Sequence, residues 1–326
     1  MNALSRGIGS IVVRGMTGPA RSTGPAVDPG RFGIDLEDPA CADRAGRILT
    51  AFFEGFDCGL KTPSQLNLVS DRTHRLFRPF LHEGFAMGCV PNGYLRLTSA
   101  RTSVERFERA LSESDPFVFL KYVGLGFWLG FQGARSPARV DAMASGLKAR
   151  KFSALVHDGY GFKLGFFGHE RLAHGDFSVV DSLRGLAGFG FASALNGLGR
   201  SLWFFTMDRP ASAFELARKL GKDGFQVLGG LGLASAFTFP DQLWRAYAAL
   251  DSLPPAERPH FLKGVRIALY VRNRCDSELI HEHLDRLSPD LRARAERDLE
   301  RALRVEARTG HKDDFIEAFH AGCLEP

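Results

Sequence analysis

The sequence contains few cysteines and few tyrosines, and each shortage excludes a class of protein or site. Its five cysteines are widely scattered, at positions 41, 58, 89, 275 and 323, and no two form a Cys-x-x-Cys pair. This spacing argues against a disulfide framework or a thiolate zinc site and favours reduced thiols in the cytoplasm. Tyrosine occurs only 5 times, against 28 phenylalanines. Rings without a hydroxyl indicate packing in a core or around an apolar ligand, where no hydrogen-bond partner is available.

Long apolar runs and one-sided charge are also missing. No stretch approaches the roughly 20 apolar residues of a membrane span, and the run IGSIVV near the N-terminus is shorter than the core of a secretory signal. The net charge is +5 over 326 residues, with acids and bases interleaved. Without a basic stripe, a nucleic-acid surface is not expected. We expect a cytoplasmic globular protein with a flexible N-terminal segment over residues 1–28.

The signatures of common enzyme classes do not occur. The sequence has no G-x-x-x-x-G-K-[ST] phosphate loop, no G-x-S-x-G nucleophile elbow and no aspartate-rich motif of ordinary terpene cyclases. The segment His281–His283 lacks the i, i+4 spacing of metal ligands on a helix. We therefore expect neither a metal nor a cofactor, and hydrolysis has no candidate nucleophile.

Glycine, by contrast, is abundant, with 36 residues, and it recurs in similar short units. The units are EGFDCGL, EGFAMGC, VGLGFWL, DGYGFKL, NGLGRSL, GGLGLAS and KGVRIAL, whose glycines are Gly55, Gly84, Gly124, Gly159, Gly197, Gly230 and Gly264. Spacings mostly in the thirties are typical of helix-pair repeats. The sequence predicts an all-α fold of about seven helix pairs over residues 29–287, arranged as an α/α solenoid or toroid. Residues 288–326 would form a charged capping helix and tail.

The repeated glycines are predicted to lie inside helices. Asp115 and Pro116 resemble a helix start, and the apolar pattern that follows continues through Gly124. Residues 259–271 carry Gly264 in the same way. A glycine within a helix costs up to about 1 kcal/mol relative to alanine, and close approach of a neighbouring helix is the usual compensation. Strand patterns are weak, and VVDSL at residues 179–183 is the best of them.

The residue before each repeated glycine provides the candidate site. If the units are equivalent, these side chains point in equivalent directions and converge on one hollow; they are Glu54, Glu83, Val123, Asp158, Asn196, Gly229 and Lys263. A buried carboxylate without a partner is costly. Converging acids therefore imply either ion pairs with basic side chains or a role in binding or converting a ligand. The candidate acids are Asp158, Glu83 and Glu54, with pKa values raised wherever phenylalanines surround them. In the alternative interpretation, each side chain only bonds its neighbouring helix.

Other residues in these units are candidates for substrate binding. The polar ones are Arg200, Lys163, Asn196 and Lys263, whose cations would either pair with the acids or hold an anionic group. The aromatic ones are Tyr160, Trp128 and Trp203, whose ring faces could stabilise developing positive charge. His157 lies beside Asp158 in sequence, but adjacent side chains on a helix do not face each other.

Several of these motifs resemble one bacterial family, catalogued as domain of unknown function number 1702. The resemblance covers residues 30–274 and is carried by EGFAMG, VGLGFWL, HDGYGFKLGFF, GLGRSLWF, GGLGLASAF and KGVRIALYVRNR. The family is met in natural-product gene clusters, notably those for enediynes. The resemblance implies a biosynthetic role on a polyene- or polyketide-derived, or similarly apolar, metabolite.

We therefore expect an enzyme that cyclises an apolar, polyunsaturated small molecule, or forms a carbon–carbon bond in it, by acid catalysis and without a cofactor. The alternative is a non-catalytic helical-repeat protein that shelters a metabolite or binds a partner. Self-association and a biosynthetic partner protein are both compatible with the sequence. A closed apolar pocket would favour the enzyme, whereas an open polar groove would favour the binding protein.

Overall fold

The regular secondary structure of the described residues is helical and includes no strand, which confirms the predicted fold class. The computed structural model describes residues 26–95, 104–105, 107–108, 111–131 and 136–325. Fifteen α-helices occur in these ranges: α1 Pro39–Lys61, α2 Leu66–Arg72, α3 Arg78–Leu95, α4 Val118–Phe131, α5 Pro137–Ser145, α6 Ser153–Ala173, α7 Ser178–Leu183, α8 Phe189–Thr206, α9 Pro210–Lys219, α10 Gly224–Thr238, α11 Trp244–Asp251, α12 Arg258–Cys275, α13 Ser277–Leu284, α14 Pro289–Thr309 and α15 Phe315–Leu324.

Several predicted helix boundaries agree with the structure. The Asp115 carboxylate accepts a hydrogen bond from the Phe117 amide at 2.8 Å, and α4 then runs through Gly124. Helix α12 contains the predicted residues 259–271, and α14 is the predicted charged helix near the C-terminus. The best strand candidate, residues 179–183, lies in α7 instead. The predicted flexible segment lies largely outside the described residues, and no described helix is long and apolar enough to cross a membrane.

Seven long helices, α1, α3, α4, α6, α8, α10 and α12, pack each against the next in this order, and paired glycines make the contacts close. A Cβ on Gly159 would lie 2.0 Å from the Val123 carbonyl oxygen of α4, and one on Gly161 would lie 1.8 Å from that of Ala194 in α8. Two residues span about 200° around a helix, so the two glycines of a G-x-G unit contact the neighbouring helices on opposite sides. The same arrangement occurs in α4, α8 and α10.

These neighbouring long helices run in the same direction. Gly55 of α1 packs against Leu81 of α3, and Gly59, one turn later in α1, packs against Phe85, one turn later in α3. The residue numbers therefore increase in the same direction along both helices. Parallel helices require the chain to return between them, and shorter helices such as α5, α9 and α11 occupy these connections. A long glycine-bearing helix followed by shorter elements is therefore the repeating unit.

The end of the series contacts its beginning. Arg272 of α12 donates to the Leu76 carbonyl oxygen just before α3 at 2.8 Å, and the Phe80 and Phe237 rings of α3 and α10 pack edge to face at 5.4 Å. In α12 the position two residues after Gly264 is Arg266, whose Nε donates to Asp298 of α14 at 2.9 Å. In α12, the last of the seven long helices, an arginine in an ion pair thus occupies the position that the second glycine of a G-x-G unit has in α4, α6, α8 and α10.

Substitution of Gly161 by alanine is expected to destabilise the fold by about 1–3 kcal/mol or more, because the added Cβ would overlap backbone atoms that cannot rotate away. Gly146→Ala is the matched control, since a Cβ there would lie 3.3 Å from the Ala142 carbonyl oxygen and 3.5 Å from that of Met143. That control should change stability by less than about 0.5 kcal/mol. Denaturant unfolding measures both, and equal stabilities would contradict the proposed close packing.

Candidate functional site

Three of the side chains that precede repeated glycines lie together in the interior, joined by Arg200. The Arg200 guanidinium forms an ion pair with Asp158 through Nη1, and its Nη2 lies 3.6 Å from Glu83 Oε1. With the Asn196 amide oriented to satisfy both of its groups, its nitrogen donates to Asp158 Oδ2 at 3.1 Å. All four side chains are buried. We call Glu83, Asp158, Asn196 and Arg200 the acid–guanidinium cluster.

The charges of this cluster balance only if one carboxyl keeps a proton. Burial raises the pKa of Glu83 from 4.5 to about 7; the Arg200 charge opposes this rise and the Asp158 charge adds to it. Burial also raises the pKa of Asp158, against the effect of Arg200. Because Asp158 has the closer contact with the guanidinium and the additional amide donor, we assign the ion pair to Asp158 and the retained proton to Glu83.

Arg200 remains charged within the cluster. Burial alone would lower the pKa of its guanidinium, but the carboxylate of Asp158 and then that of Glu83 raise it above its ordinary value. The carbon of the guanidinium also lies 5.2 Å from the centre of the Phe162 ring, which faces the cation. Arg200 therefore provides a fixed positive charge at the centre of the cluster.

Glu83 and Arg200 line the inner end of a cavity of about 410 Å³. Exposed residues of the lining, Arg31, Phe167 and Glu170, mark its mouth. Phenylalanine dominates the described lining, and neither tyrosine nor tryptophan contributes to it; the phenylalanines are Phe32, Phe52, Phe53, Phe80, Phe127, Phe162, Phe166, Phe167, Phe204 and Phe237. The many phenylalanines of the sequence, which carry no hydroxyl group, thus line a cavity as well as fill the core.

Helical periodicity explains how the long helices form this lining. We call the residue before each repeated glycine the pre-glycine residue. The residues four and eight positions after it lie on the same face of the helix as the pre-glycine residue itself. From Asp158 these are Phe162 and Phe166, and from Asn196 they are Arg200 and Phe204, all of which line the cavity. In α10 the same positions are occupied by Leu233 and Phe237. In α6 and α8 one stripe therefore begins in the acid–guanidinium cluster and continues along the cavity wall, and the α10 stripe begins at Gly229 beside the cluster.

Lys263 and Glu54, the other two polar pre-glycine residues, are placed differently. The Lys263 ammonium donates to Gln226 at 2.9 Å, and burial lowers its pKa to about 8. A Cβ on Gly229 would lie 2.9 Å from Lys263 Cε and 3.1 Å from the Asn196 side-chain amide, so Lys263 borders the cluster without lining the cavity. Glu54 does not join the cluster: it lines a separate depression on the face of α1 together with Asp57 and Lys61.

The predicted aromatic residues and Lys163 lie behind the cavity wall. Trp203 donates its indole N–H to Thr238 Oγ1 at 2.9 Å, and Thr238 itself lines the cavity. Lys163 lies 5.2 Å from the centre of the Phe131 ring, and burial lowers its pKa. Tyr160 is buried, and Trp128 packs against Phe56 and Phe131. None of these four predicted residues is in the described lining of the cavity.

His157 belongs to a different region from Asp158, as expected for adjacent residues on a helix. Its Nε2 pairs with Asp141 Oδ1 at 2.8 Å, in an open polar depression bordered by α15. Within the described ranges, no group of three or more histidines, cysteines or acids is placed to hold a metal ion.

Sequence reasoning missed the parts of the lining that come from outside the glycine units. Residues 31–33, before α1, and the α1 residues Phe52 and Phe53 close one side of the cavity, and His169 lies near its mouth. The α6 and α8 phenylalanines could have been found by reading four and eight residues onward from each pre-glycine position. The α1 contribution had no such signal.

The contribution of Glu83 to stability is expected to fall as pH rises from 4.5 to about 7, because the folded protein holds the Glu83 proton that the unfolded chain has released. One such proton gives a slope of about 1.4 kcal/mol per pH unit. Glu83→Gln imitates the protonated acid and removes this contribution, while that of Asp158 remains. Urea unfolding across this range should show wild-type stability falling relative to the variant. Parallel profiles would contradict a raised Glu83 pKa.

Fold and site together define an all-α protein in which a buried acid–guanidinium cluster closes the inner end of a phenylalanine-lined cavity. The chain belongs to the family described as "Protein of unknown function (DUF1702)", whose model matches residues 25–308. No curated protein and no solved structure was found to match the chain.

Proposed function

We propose that the protein is a biosynthetic enzyme that cyclises an apolar, polyunsaturated small molecule by acid catalysis, with Glu83 as the acid. The observation that carries the proposal is the buried Glu83 carboxyl group at the end of a cavity lined by phenylalanine, where burial raises its pKa to about 7. A general acid works best when its pKa lies near the operating pH, and about 7 meets this condition. The apolar lining selects a hydrocarbon-rich ligand.

In the proposed reaction Glu83 donates its proton to a terminal carbon of the polyene, whose double bond breaks and leaves a cation on the adjacent carbon. The electrons of a nearby carbon–carbon double bond then form the new ring bond, and positive charge develops on the chain. A neighbouring carbon finally loses a proton to the Glu83 carboxylate. Product and substrate are isomers, so the proposed reaction consumes no oxidant or reductant.

The other members of the cluster keep Glu83 ready for this step. The Asp158 carboxylate raises the pKa of Glu83 and so offsets part of the opposite effect of Arg200, which favours the Glu83 anion. Asn196 holds the second oxygen of Asp158. After Glu83 has given up its proton, the nearby Arg200 stabilises the resulting carboxylate, and this interaction strengthens as charge develops.

The phenylalanine walls suit a cationic intermediate. Ring faces attract positive charge without offering a nucleophile or a base, and their apolar surface excludes water that would trap the cation. Phe127, Phe162 and Phe204 surround the region next to Arg200, with centroid separations of 5.6 Å and 5.8 Å between successive rings. A deep aromatic cavity of this kind, open at one mouth, supports the enzyme over a binding protein with an open polar groove.

The cellular role proposed for this reaction follows the sequence resemblance. We place it in the cytoplasm, in the biosynthesis of a polyene- or polyketide-derived product such as those of enediyne-type gene clusters. The enzyme acts there without a cofactor and receives its substrate from other biosynthetic proteins.

Deletion of the gene from its native cluster tests the proposal, with identification of the accumulating metabolite by mass spectrometry and NMR. Purified protein should convert that metabolite into an isomer of equal mass and fewer double bonds. Tight binding without conversion would contradict the enzyme and identify a protein that shelters the metabolite. Failure of any apolar metabolite to accumulate would contradict both.

A further inference from the structure

The phenylalanine-lined cavity is separated from a second, smaller cavity by three side chains. Arg200, Leu233 and Phe237 line both spaces. The smaller cavity has a volume of about 50 Å³ and lies farther inside, between α4, α6, α8, α12 and α15. Most of its lining is apolar, with Phe119, Val123 and Ile267 among the residues, and the polar remainder consists of Asp158, Ser193, Asn196, Arg200 and His320. A hydrocarbon chain that passed the three shared side chains would therefore meet further apolar surface.

The three dividing residues differ in how firmly they are held. Arg200 is fixed by its carboxylate partners. Phe237 lies under the guanidinium of Arg272, 4.1 Å from its ring centre, and Arg272 Nε also donates to the Phe237 carbonyl oxygen at 2.9 Å. Leu233 has only apolar packing for its side chain and is partly exposed to the cavities. Its replacement would open the division without removing a charge or a hydrogen bond.

We infer that Leu233 sets the depth to which a linear apolar chain enters, and so determines the chain length that the protein prefers. The inference rests on the proposed function in one respect, namely that the larger cavity binds such a chain. Beyond the preferred length, additional methylenes meet the Leu233 side chain and find no space. Leu233→Ala removes three carbon atoms at this point and connects the two cavities.

Binding of linear saturated fatty acids of increasing chain length tests the inference, measured by displacement of the fluorescent polyene cis-parinaric acid. Wild-type affinity should rise with length, by up to about fourfold per buried methylene, and then fall beyond an optimum. In Leu233→Ala the optimum should move to longer chains by about two to three carbons, because the chain end fills the space vacated by the leucine.

Leu49→Ala is the matched control, since Leu49 lines only the larger cavity. It adds the same volume away from the division, so its optimum should remain at the wild-type length. Leu233→Val, a milder change, should shift the optimum in the same direction by a smaller amount and keeps the test informative if the alanine variant does not fold.

An unchanged optimum in both Leu233 variants, or an equal shift in Leu49→Ala, would overturn the inference and leave the proposed function intact. If the wild-type protein binds neither the probe nor any of the acids, the proposed apolar binding site is contradicted, and the inference fails with it.

Discussion

Glu83→Gln is expected to lower kcat for the accumulated metabolite by about 10²- to 10⁴-fold, the usual contribution of a positioned general acid. Glutamine has nearly the shape of the protonated carboxyl and can occupy the same space, but it cannot supply the proton. The substrate should therefore still bind, and KM should change little. Steady-state kinetics with the metabolite from the deletion strain measures both quantities.

Two comparisons make this experiment specific for the acid. Glu54→Gln is the matched substitution, at a glutamate whose pKa burial also raises but which lies outside the cavity, and it should retain wild-type kcat. The pH profile of kcat in the wild type should fall above the pKa of Glu83, at about 7. Full activity in Glu83→Gln, or equal losses in the two variants, would contradict the assignment of Glu83 as the acid.

Arg200→Met is expected to cost about 3–5 kcal/mol in stability, as is typical when one partner of a buried ion pair is removed. The methionine retains much of the arginine volume, but the buried Asp158 then loses its ion-pair partner and Glu83 loses the nearby guanidinium. Thermal and urea unfolding of the variant should show the loss at neutral pH.

A double variant separates charge from packing in this region. Asp158→Asn combined with Arg200→Met removes both charges of the ion pair, so it should recover much of the stability that Arg200→Met loses. Asp158→Asn alone should also destabilise, because Arg200 then lacks its closest partner. An Arg200→Met variant as stable as the wild type would show that the acid–guanidinium cluster is not held together as described.

The all-α fold class and the close helix packing could be predicted from glycine spacing because an interior glycine weakens a helix unless a neighbouring backbone packs closely against it. The G-x-G units place two contact surfaces on opposite sides of one helix, and this local pattern repeats from α4 to α10. Convergence of Glu83, Asp158 and Asn196 follows from the same repetition. Identical contacts on successive helices orient the preceding residues toward a common interior.

Glu54 lies outside the cluster because its helix, α1, is not equivalent to the later helices of the series. In later helices the first glycine of a unit faces the preceding long helix, as Gly159 faces α4. Helix α1 has no preceding member, and both Gly55 and Gly59 face α3. The residue before Gly55 therefore has a different orientation, although its sequence context is the same.

The sequence predicted an aromatic-lined hollow but not its full lining, because contacts between distant parts of the chain complete it. Its walls combine the periodic stripes of α6, α8 and α10 with α1 and the segment before it. The contact between Arg44 and the Thr238 carbonyl oxygen, at 3.0 Å, joins residues that are 194 positions apart. No local pattern indicates such a pairing.

The protonation state of Glu83 in the folded protein tests the proposed site most directly. Carbon-13 NMR of side-chain carboxyl groups, with Glu83→Gln to assign the resonance, gives its titration midpoint. We predict a midpoint at about 7, with the proton retained at slightly acidic pH. A midpoint near the ordinary value of 4.5 would show an ionised Glu83 and would contradict the proposed acid in the cavity.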